Sequence, residues 1–200
     1  MSDGRQPVLG AVLCGGRSSR FGSDKAVAPA DDTRLGSLVV TAMRGGGADP
    51  VAAIGGTAGP ALGIPTIDDL HPDEGPLGGL ATALLWAKTG LVVVAPCDLV
   101  LLEAAHVAAL IEAAVRNPGH AVVATVNGRP QPSLALWPAD QGRAVLDVFR
   151  QGRRAFRAAL DVVDWSAWSF PPRLWPMPTP PRHSMSCWPV DGPATRPSPI

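Results

Sequence analysis

Glycines and cations are concentrated in one segment near the amino terminus, Leu13-Cys-Gly-Gly-Arg-Ser-Ser-Arg-Phe-Gly-Ser-Asp-Lys25, here called the glycine-rich loop. Glycines and small polar residues let backbone N–H groups turn inward around phosphate oxygens, and Arg20 and Lys25 add positive charge. The loop lacks the Gly-Lys-Ser/Thr of a Walker A sequence and the Gly-x-Gly-x-x-Gly of dinucleotide folds. The alternative is a flexible, solvated basic loop, which a glycine pair alone would favour. A glycine pair followed by this set of charges is more specific for a phosphate-binding loop. We therefore predict that the loop binds a nucleoside triphosphate.

A carboxylate follows the most apolar stretch of the chain. Residues 91–95 are Leu-Val-Val-Val-Ala, which predicts a buried central strand, and Asp98 comes after it. Open α/β sheets bind ligands at the carboxyl ends of their strands, where an Asp oxygen is a preferred ligand for Mg²⁺. The alternative is that Asp98 caps the next helix. We favour Asp98 as a magnesium ligand that also offsets the charge of the phosphates.

Two further segments carry polar groups beside turns. The acidic segment (residues 68–80) reads Asp-Asp-Leu-His-Pro-Asp-Glu-Gly-Pro-Leu-Gly-Gly-Leu. Its Gly75-Pro76 predicts a tight turn, and its later glycine pair lets a helix start close to a base or another backbone. An acidic turn before a helix explains it equally well. Gln131, between two prolines, is predicted in a loop before a strand, and a surface turn is nearly as good an explanation as a substrate contact.

The elements that must position these residues alternate along the chain. Apolar runs predict strands at residues 8–13, 51–54, 91–95 and 121–126. Helical spacing predicts helices at 35–44, 77–88 and 102–116, and one or two more within 143–160, broken near Gly152. Strands that alternate with helices favour a single α/β domain with a mostly parallel, Rossmann-like sheet covered on both faces.

Composition excludes several classes of protein. An apolar fraction of 46% with 17% charged residues indicates a globular chain of 200 residues, enough for one ordinary domain. A net charge of zero gives no sign of a nucleic-acid or anionic-lipid partner. No apolar run approaches the roughly 20 residues of a membrane span. The three cysteines match no zinc or redox spacing, so we expect a reduced, cytoplasmic protein.

The end of the chain differs in composition from the rest. Tryptophan and proline become frequent after Val163, and proline at that density is incompatible with helix or central strand. We predict a domain at residues 1–170, which the resemblance described next identifies as a nucleotidyltransferase domain, and an irregular tail at 171–200. The sequence does not decide whether that tail is disordered. Trp165 and Trp168, three residues apart beside a predicted helix, are expected to pack on the domain.

Four segments together resemble one family, the molybdenum cofactor guanylyltransferases. The glycine-rich loop is similar to the family signature Leu-x-Gly-Gly-x-Ser-x-Arg-Met-Gly-x-Asp-Lys. The acidic segment is similar to Asp-x-x-Pro-Gly-x-Gly-Pro-Leu-x-Gly. Pro96-Cys97-Asp98 matches its Pro-Cys-Asp, and Gln131-Pro132 its Gln-Pro. These resemblances occur in order and span residues 8–160.

The resemblance implies a nucleotide-diphospho-sugar transferase type of fold and transfer of GMP from GTP to molybdenum-molybdopterin, with Mg²⁺ as cofactor. The products would be the molybdopterin guanine dinucleotide cofactor and pyrophosphate, and other cofactor-biosynthesis proteins would deliver the molybdopterin. It implies a catalytic group of Arg20, Lys25 and Asp98, with Asp98 on the metal. The nucleotide-binding residues that it implies are Leu13, Cys14, Gly15, Gly16, Lys25, Asp69 and Asp98.

The sequence departs from the family at several positions, and other functions therefore stay open. Gly55-Gly56 stands where some members carry an Asn, Phe21 replaces a Met, and Val100 replaces a Pro. The family's late Asn-x-Asn-Thr segment, which helps to form the pterin site, is missing. The alternatives are a molybdopterin cytidylyltransferase that uses CTP, a sugar-phosphate nucleotidyltransferase, and a GTP-binding remnant without catalysis.

Overall fold

The fold is known from a computed structural model, which describes residues 6–15, 25–30 and 32–170. Its strands are β1 (Val8–Leu13), β2 (Pro29–Ala30), β3 (Thr33–Arg34), β4 (Val51–Ile54), β5 (Thr66–Ile67), β6 (Leu91–Pro96), β7 (Ala121–Val126), β8 (Arg129–Pro138) and β9 (Trp165–Ser169). Its α-helices are α1 (Leu35–Gly45), α2 (Gly59–Leu62), α3 (Pro76–Ala87), α4 (Ala104–Arg116) and α5 (Gly142–Arg150). Short 3-10 helices occupy Lys25–Val27, Ala139–Gln141 and Phe156–Asp161.

Seven of the strands form one mostly parallel sheet in the order β5-β4-β1-β6-β8-β7-β9, and β2 and β3 form a separate hairpin. Strand β1 lies parallel to β4 and β6, and its last residue, Leu13, pairs with Ile54 on one side and Pro96 on the other. The long strand β8 runs antiparallel to both β6 and β7. The carboxyl ends of β1, β4 and β6 therefore meet at one edge, so the residues that follow Leu13, Ile54 and Pro96 become neighbours.

Helices cover the sheet on both faces, as the alternating pattern predicts. Helices α1 and α4 pack together over one face, on side chains such as Val12 and Val93. Helices α3 and α5 pack together over the other, on side chains such as Ala11 and Val92. Because successive side chains of a strand point to opposite faces, only a continuous apolar run can serve both layers. The α/β class with a mostly parallel sheet is confirmed.

Two predicted boundaries are wrong, and both have local causes. Helix α4 begins at Ala104 and not at residue 102, because Glu103 is extended and forms a reciprocal capping box with His106. Glu103 is thus the cap of this helix, and Asp98 is not. Gln131 lies inside strand β8, opposite Ala124, and not in a loop. Its flanking prolines are tolerated because the sheet is irregular between Val123 and Ala124.

The last described segment is a strand, and Trp165 and Trp168 pack on the core from it, as expected. Strand β9 lies at the edge of the sheet, parallel to β7, with Trp168 opposite Ala124. Phe170 follows it and is 2% exposed. The predicted tail at 171–200 lies outside the described residues. In the part of the chain that the structure describes, no helix is long and apolar enough to cross a membrane.

Candidate functional site

Two backbones meet where β1 and β4 end. The N–H groups of Cys14 and Gly15 both donate to the carbonyl of Ile54, at 3.0 and 3.2 Å. A Cβ added to Gly55 would lie 3.2 Å from the Cα of Gly15, and Gly55 has a φ of +68°. A side chain at Gly55 would therefore be strained and crowded at once. A Cβ added to Gly15 itself would make ordinary contacts, the nearest with the Cα of Gly55 at 3.6 Å.

Asp69 is held with one carboxylate oxygen hydrogen-bonded and the other facing Gly15 and Gly79. Its Oδ1 accepts from the N–H of His71 at 3.0 Å and lies 3.0 Å from the hydroxyl of Thr82, a residue 2% exposed on α3. Its Oδ2 lies 3.8 Å from the Cβ position of Gly15 and the same distance from that of Gly79. A fixed carboxylate whose second oxygen faces two glycines is suited to accept hydrogen bonds from a ligand.

A cavity of about 300 Å³ opens at this edge of the sheet. Three apolar residues, three glycines and two aspartates surround it, a mixture typical of ligand pockets. Its lining consists of Leu13, Gly15, Ile54, Asp69, Asp73, Gly75, Pro76 and Gly79. The cavity is therefore built mainly from the end of β1 and the acidic segment.

A cation and an anion meet at the end of the neighbouring strand β6. The ammonium of Lys25 donates to Asp98 Oδ2 across a separation of 73 residues, with the two side chains 49% and 40% exposed. This hydrogen bond raises the pKa of Lys25 above its ordinary value and outweighs the opposing effect of partial burial. The N–H of Cys97 donates to the carbonyl of Leu13, so the pair is anchored beside the strand that lines the cavity.

The structure brings together some of the predicted nucleotide residues and separates others. Leu13, Gly15 and Asp69 line one cavity, while Lys25 and Asp98 form the ion pair beside it. The Cys14 side chain packs against the α1 and α4 layer, so its main-chain N–H is the group on this edge. Gly16 and Arg20 lie outside the described residues.

Thr82 is a candidate site residue that the sequence did not indicate. Its hydroxyl lies within hydrogen-bond distance of Asp69 and of the Gly78 carbonyl, and it accepts from the N–H of Leu70. A threonine inside an apolar helix has no distinctive sequence pattern, and its partner Asp69 is 13 residues away. The contact becomes visible once α3 is placed beside the acidic segment.

Gly79→Ala tests whether the cavity holds nucleotide. The new methyl group would meet Leu13 Cδ2 at 3.5 Å and Asp69 Oδ2 at 3.8 Å, which are ordinary contacts, so folding should be unaffected. It would occupy space between the two, and we expect the Kd for GTP to rise by at least ~10-fold, or about 1.4 kcal/mol. Isothermal titration with a thermal melt measures both quantities. Unchanged affinity would exclude this wall from the binding site.

Gly78→Ala is the matched contrast on the same helical turn. Its methyl group would lie 3.1 Å from His71 Cβ and 3.3 Å from Phe149 Cε2, tighter than ordinary contacts. We expect this variant to lose stability, as overpacked variants do, by about 1–3 kcal/mol. The pair of variants separates loss of ligand space from loss of packing.

The open α/β sheet, with a cavity and a carboxylate at the carboxyl ends of its central strands, has the arrangement in which α/β proteins bind their ligands. The chain belongs to the MobA-like NTP transferase family, whose domain matches residues 10–163.

Two named relatives are similar to this chain in sequence. The chain is 43% identical over 109 residues to the molybdenum cofactor guanylyltransferase of Xanthomonas euvesicatoria, and this match covers 54% of the chain and 55% of the relative. The chain therefore spans about half the length of that relative. It is 31% identical over 161 residues to the enzyme of the same name from Yersinia pestis, covering 78% and 82%.

A solved structure shows the same fold. The molybdopterin-guanine dinucleotide biosynthesis protein A of Archaeoglobus fulgidus superposes with a TM-score of 0.66 at 20% identity, covering 80% of this chain and 83% of that one. Because identity is low, this likeness supports the fold alone.

Proposed function

We propose that this protein transfers GMP from GTP to molybdenum-molybdopterin and so forms the molybdopterin guanine dinucleotide cofactor and pyrophosphate. The observation that carries the proposal is the cavity in which Asp69 Oδ2 faces Gly15 and Gly79, beside a Lys25–Asp98 pair on the next strand end. The names of the relatives support the choice of substrates.

The nucleoside is placed in the cavity, with its base towards Asp69. The edge of guanine presents two adjacent donors, N1–H and the N2 amino group, to a carboxylate. The edge of cytosine presents its N4 amino group next to an acceptor nitrogen, which a carboxylate repels. An anionic acceptor therefore favours GTP over CTP, because the wrong base leaves polar groups poorly paired.

The phosphates are placed towards Lys25 and the glycine-rich loop. In this proposal the molybdopterin phosphate attacks the α-phosphorus of GTP in line, and the bond to pyrophosphate breaks. Negative charge grows on the leaving group, and Lys25, Arg20 and loop N–H groups stabilise it. No protein nucleophile is required, since the attacking oxygen belongs to the substrate.

A divalent metal fits Asp98 as a companion of the nucleotide. Among the described residues no group of three or more His, Cys, Asp or Glu side chains could hold a metal. Mg²⁺, however, is commonly held by one or two carboxylates together with substrate phosphates, so a lone Asp98 suffices. When bound, the ion would offset phosphate charge and polarise the reacting phosphoryl group. Asp98 would then exchange part of its contact with Lys25 for the metal.

Product analysis tests the proposal directly. The full chain is incubated with Mg²⁺, molybdenum-loaded molybdopterin and either GTP or CTP, and dinucleotide and pyrophosphate are quantified. We expect turnover with GTP to exceed that with CTP by at least ~100-fold, as sites that hydrogen-bond one substrate commonly achieve. Product from CTP alone would identify a cytidylyltransferase. Binding of GTP without product would identify a non-catalytic remnant.

A further inference from the structure

The acidic segment supplies most of the cavity lining, yet regular helix begins only at Pro76. Its Asp69 end is held by Thr82, as described above. Glu74 and Gly75, which directly precede the helix, are supported by other contacts. Gly75 has a φ of +105°, a backbone conformation that residues other than glycine rarely adopt. Contacts with neighbouring residues therefore help to hold this turn.

That support comes from Arg154, which lies between α5 and the following 3-10 helix. Its Nη2 donates to Glu74 Oε2 at 3.0 Å, across 80 residues, and its Nη1 donates to the carbonyl of Phe149 at 2.6 Å. The guanidinium carbon also lies 4.0 Å from the centre of the Phe149 ring. One side chain thus ties Glu74 to the end of α5, with a planar fork and a cation–π contact that lysine reproduces only in part.

Phe149 extends the same support to His71. Its ring centre lies 4.3 Å from that of His71, at an interplanar angle of 32°. Phe149 itself is 3% exposed, so it is a fixed surface. The backbone adds a further link, because the N–H of Leu77 donates to the carbonyl of Arg154 at 3.0 Å. Changes confined to the Arg154 side chain leave that link in place.

We propose that Arg154, stacked on Phe149, is a positioning residue that holds residues 71–75 in place as a wall of the nucleotide site. This inference rests on the proposed function, because it assigns the wall a role in GTP binding. Arg154 does not line the cavity, so its effect passes through Glu74 and His71. A preorganised wall reduces the ordering that binding would otherwise require. Its loss therefore weakens GTP binding and leaves the chemical step nearly unchanged.

The experiment compares Arg154→Ala with Arg153→Ala in the full chain. Arg153 is the matched control, since it is adjacent and its side chain is similarly exposed. It pairs with Asp161 and not with the acidic segment. We expect Arg154→Ala to raise the Kd and KM for GTP by ~10-fold with kcat within ~2-fold, the pattern of lost uniform binding. Arg154→Lys should recover part of the affinity, and Arg153→Ala should match the wild type.

Hydrogen exchange supplies a readout that does not depend on activity. Amides of residues 70–75 should exchange faster in Arg154→Ala than in Arg153→Ala, with equal protection of the central strands in both. If Arg154→Ala fails to fold, Glu74→Gln breaks the same ion pair at a half-exposed position and is expected to shift KM and exchange in the same direction.

The outcomes separate the two proposals. Failure of the wild-type chain to bind GTP would overturn the proposed function, and faster exchange in Arg154→Ala would still establish the support of the wall. Wild-type GTP affinity together with wild-type exchange in Arg154→Ala would overturn the positioning role. An equal fall in kcat for both arginine variants would do so as well, because it would indicate a general structural effect.

Discussion

Replacing Asp98 by Asn is expected to lower the turnover of GTP by at least ~100-fold, in line with the loss of one strong electrostatic stabiliser. The amide keeps the shape of the side chain and a neutral oxygen that can still accept from Lys25. It removes the negative charge that attracts Mg²⁺ and that holds the pKa of Lys25 raised. The measurement is kcat at saturating GTP over a titration of Mg²⁺.

Asp68→Asn is the matched control for this experiment. Asp68 is an exposed carboxylate beside Asp69 and outside the cavity lining, so its neutralisation should change kcat by no more than ~2-fold, as expected for an exposed charge. Near-normal turnover of the Asp98 variant at every Mg²⁺ concentration, limiting as well as saturating, would remove Asp98 from the metal role. A loss that extra Mg²⁺ fully restores would instead assign Asp98 to metal affinity alone.

Ending the chain after Val163 is expected to destabilise the domain severely. The cut removes β9 and Phe170, whose N–H donates to the Thr125 carbonyl at 2.8 Å. Phe170 packs on His106 and Trp168, at ring-centre distances of 4.8 and 5.6 Å. Loss of each large buried aromatic costs about 3–5 kcal/mol, which is comparable with the whole stability of a domain. Urea unfolding followed by circular dichroism measures the effect.

Ending the chain after Phe170 is the paired truncation that locates the boundary. It keeps β9 and every described aromatic contact, so we expect unchanged unfolding midpoints and unchanged GTP affinity. Loss of folding from this second cut would show that residues 171–200 are structural and that the domain does not end at 170. Stability retained after the first cut would contradict the role of β9 instead.

Local patterns in the sequence were enough to predict four strands of the sheet, its mostly parallel class and the edge at which Gly15 and Asp98 lie. A continuous apolar run such as 91–95 predicts a strand buried on both faces, because each face needs its own apolar side chains. Parallel strands place their carboxyl ends together, so Gly15 and Asp98 were expected at one edge. The predicted strand and the predicted edge each follow from residues that are close together in the chain, which is why the sequence alone could indicate them. In the structure β1 and β6 pair in parallel, and Asp98 lies at their carboxyl ends beside Lys25.

The tertiary structure alone decided which groups touch within that edge. The Lys25–Asp98 and Arg154–Glu74 pairs join residues 73 and 80 positions apart, and no local pattern encodes such contacts. Trp165 and Trp168 show the same limit, because residues three apart share one face of a helix but point to opposite faces of a strand, and the local sequence does not decide between the two. Pairing with β7 selects the strand, because its backbone groups need partners and the edge of the sheet provides them.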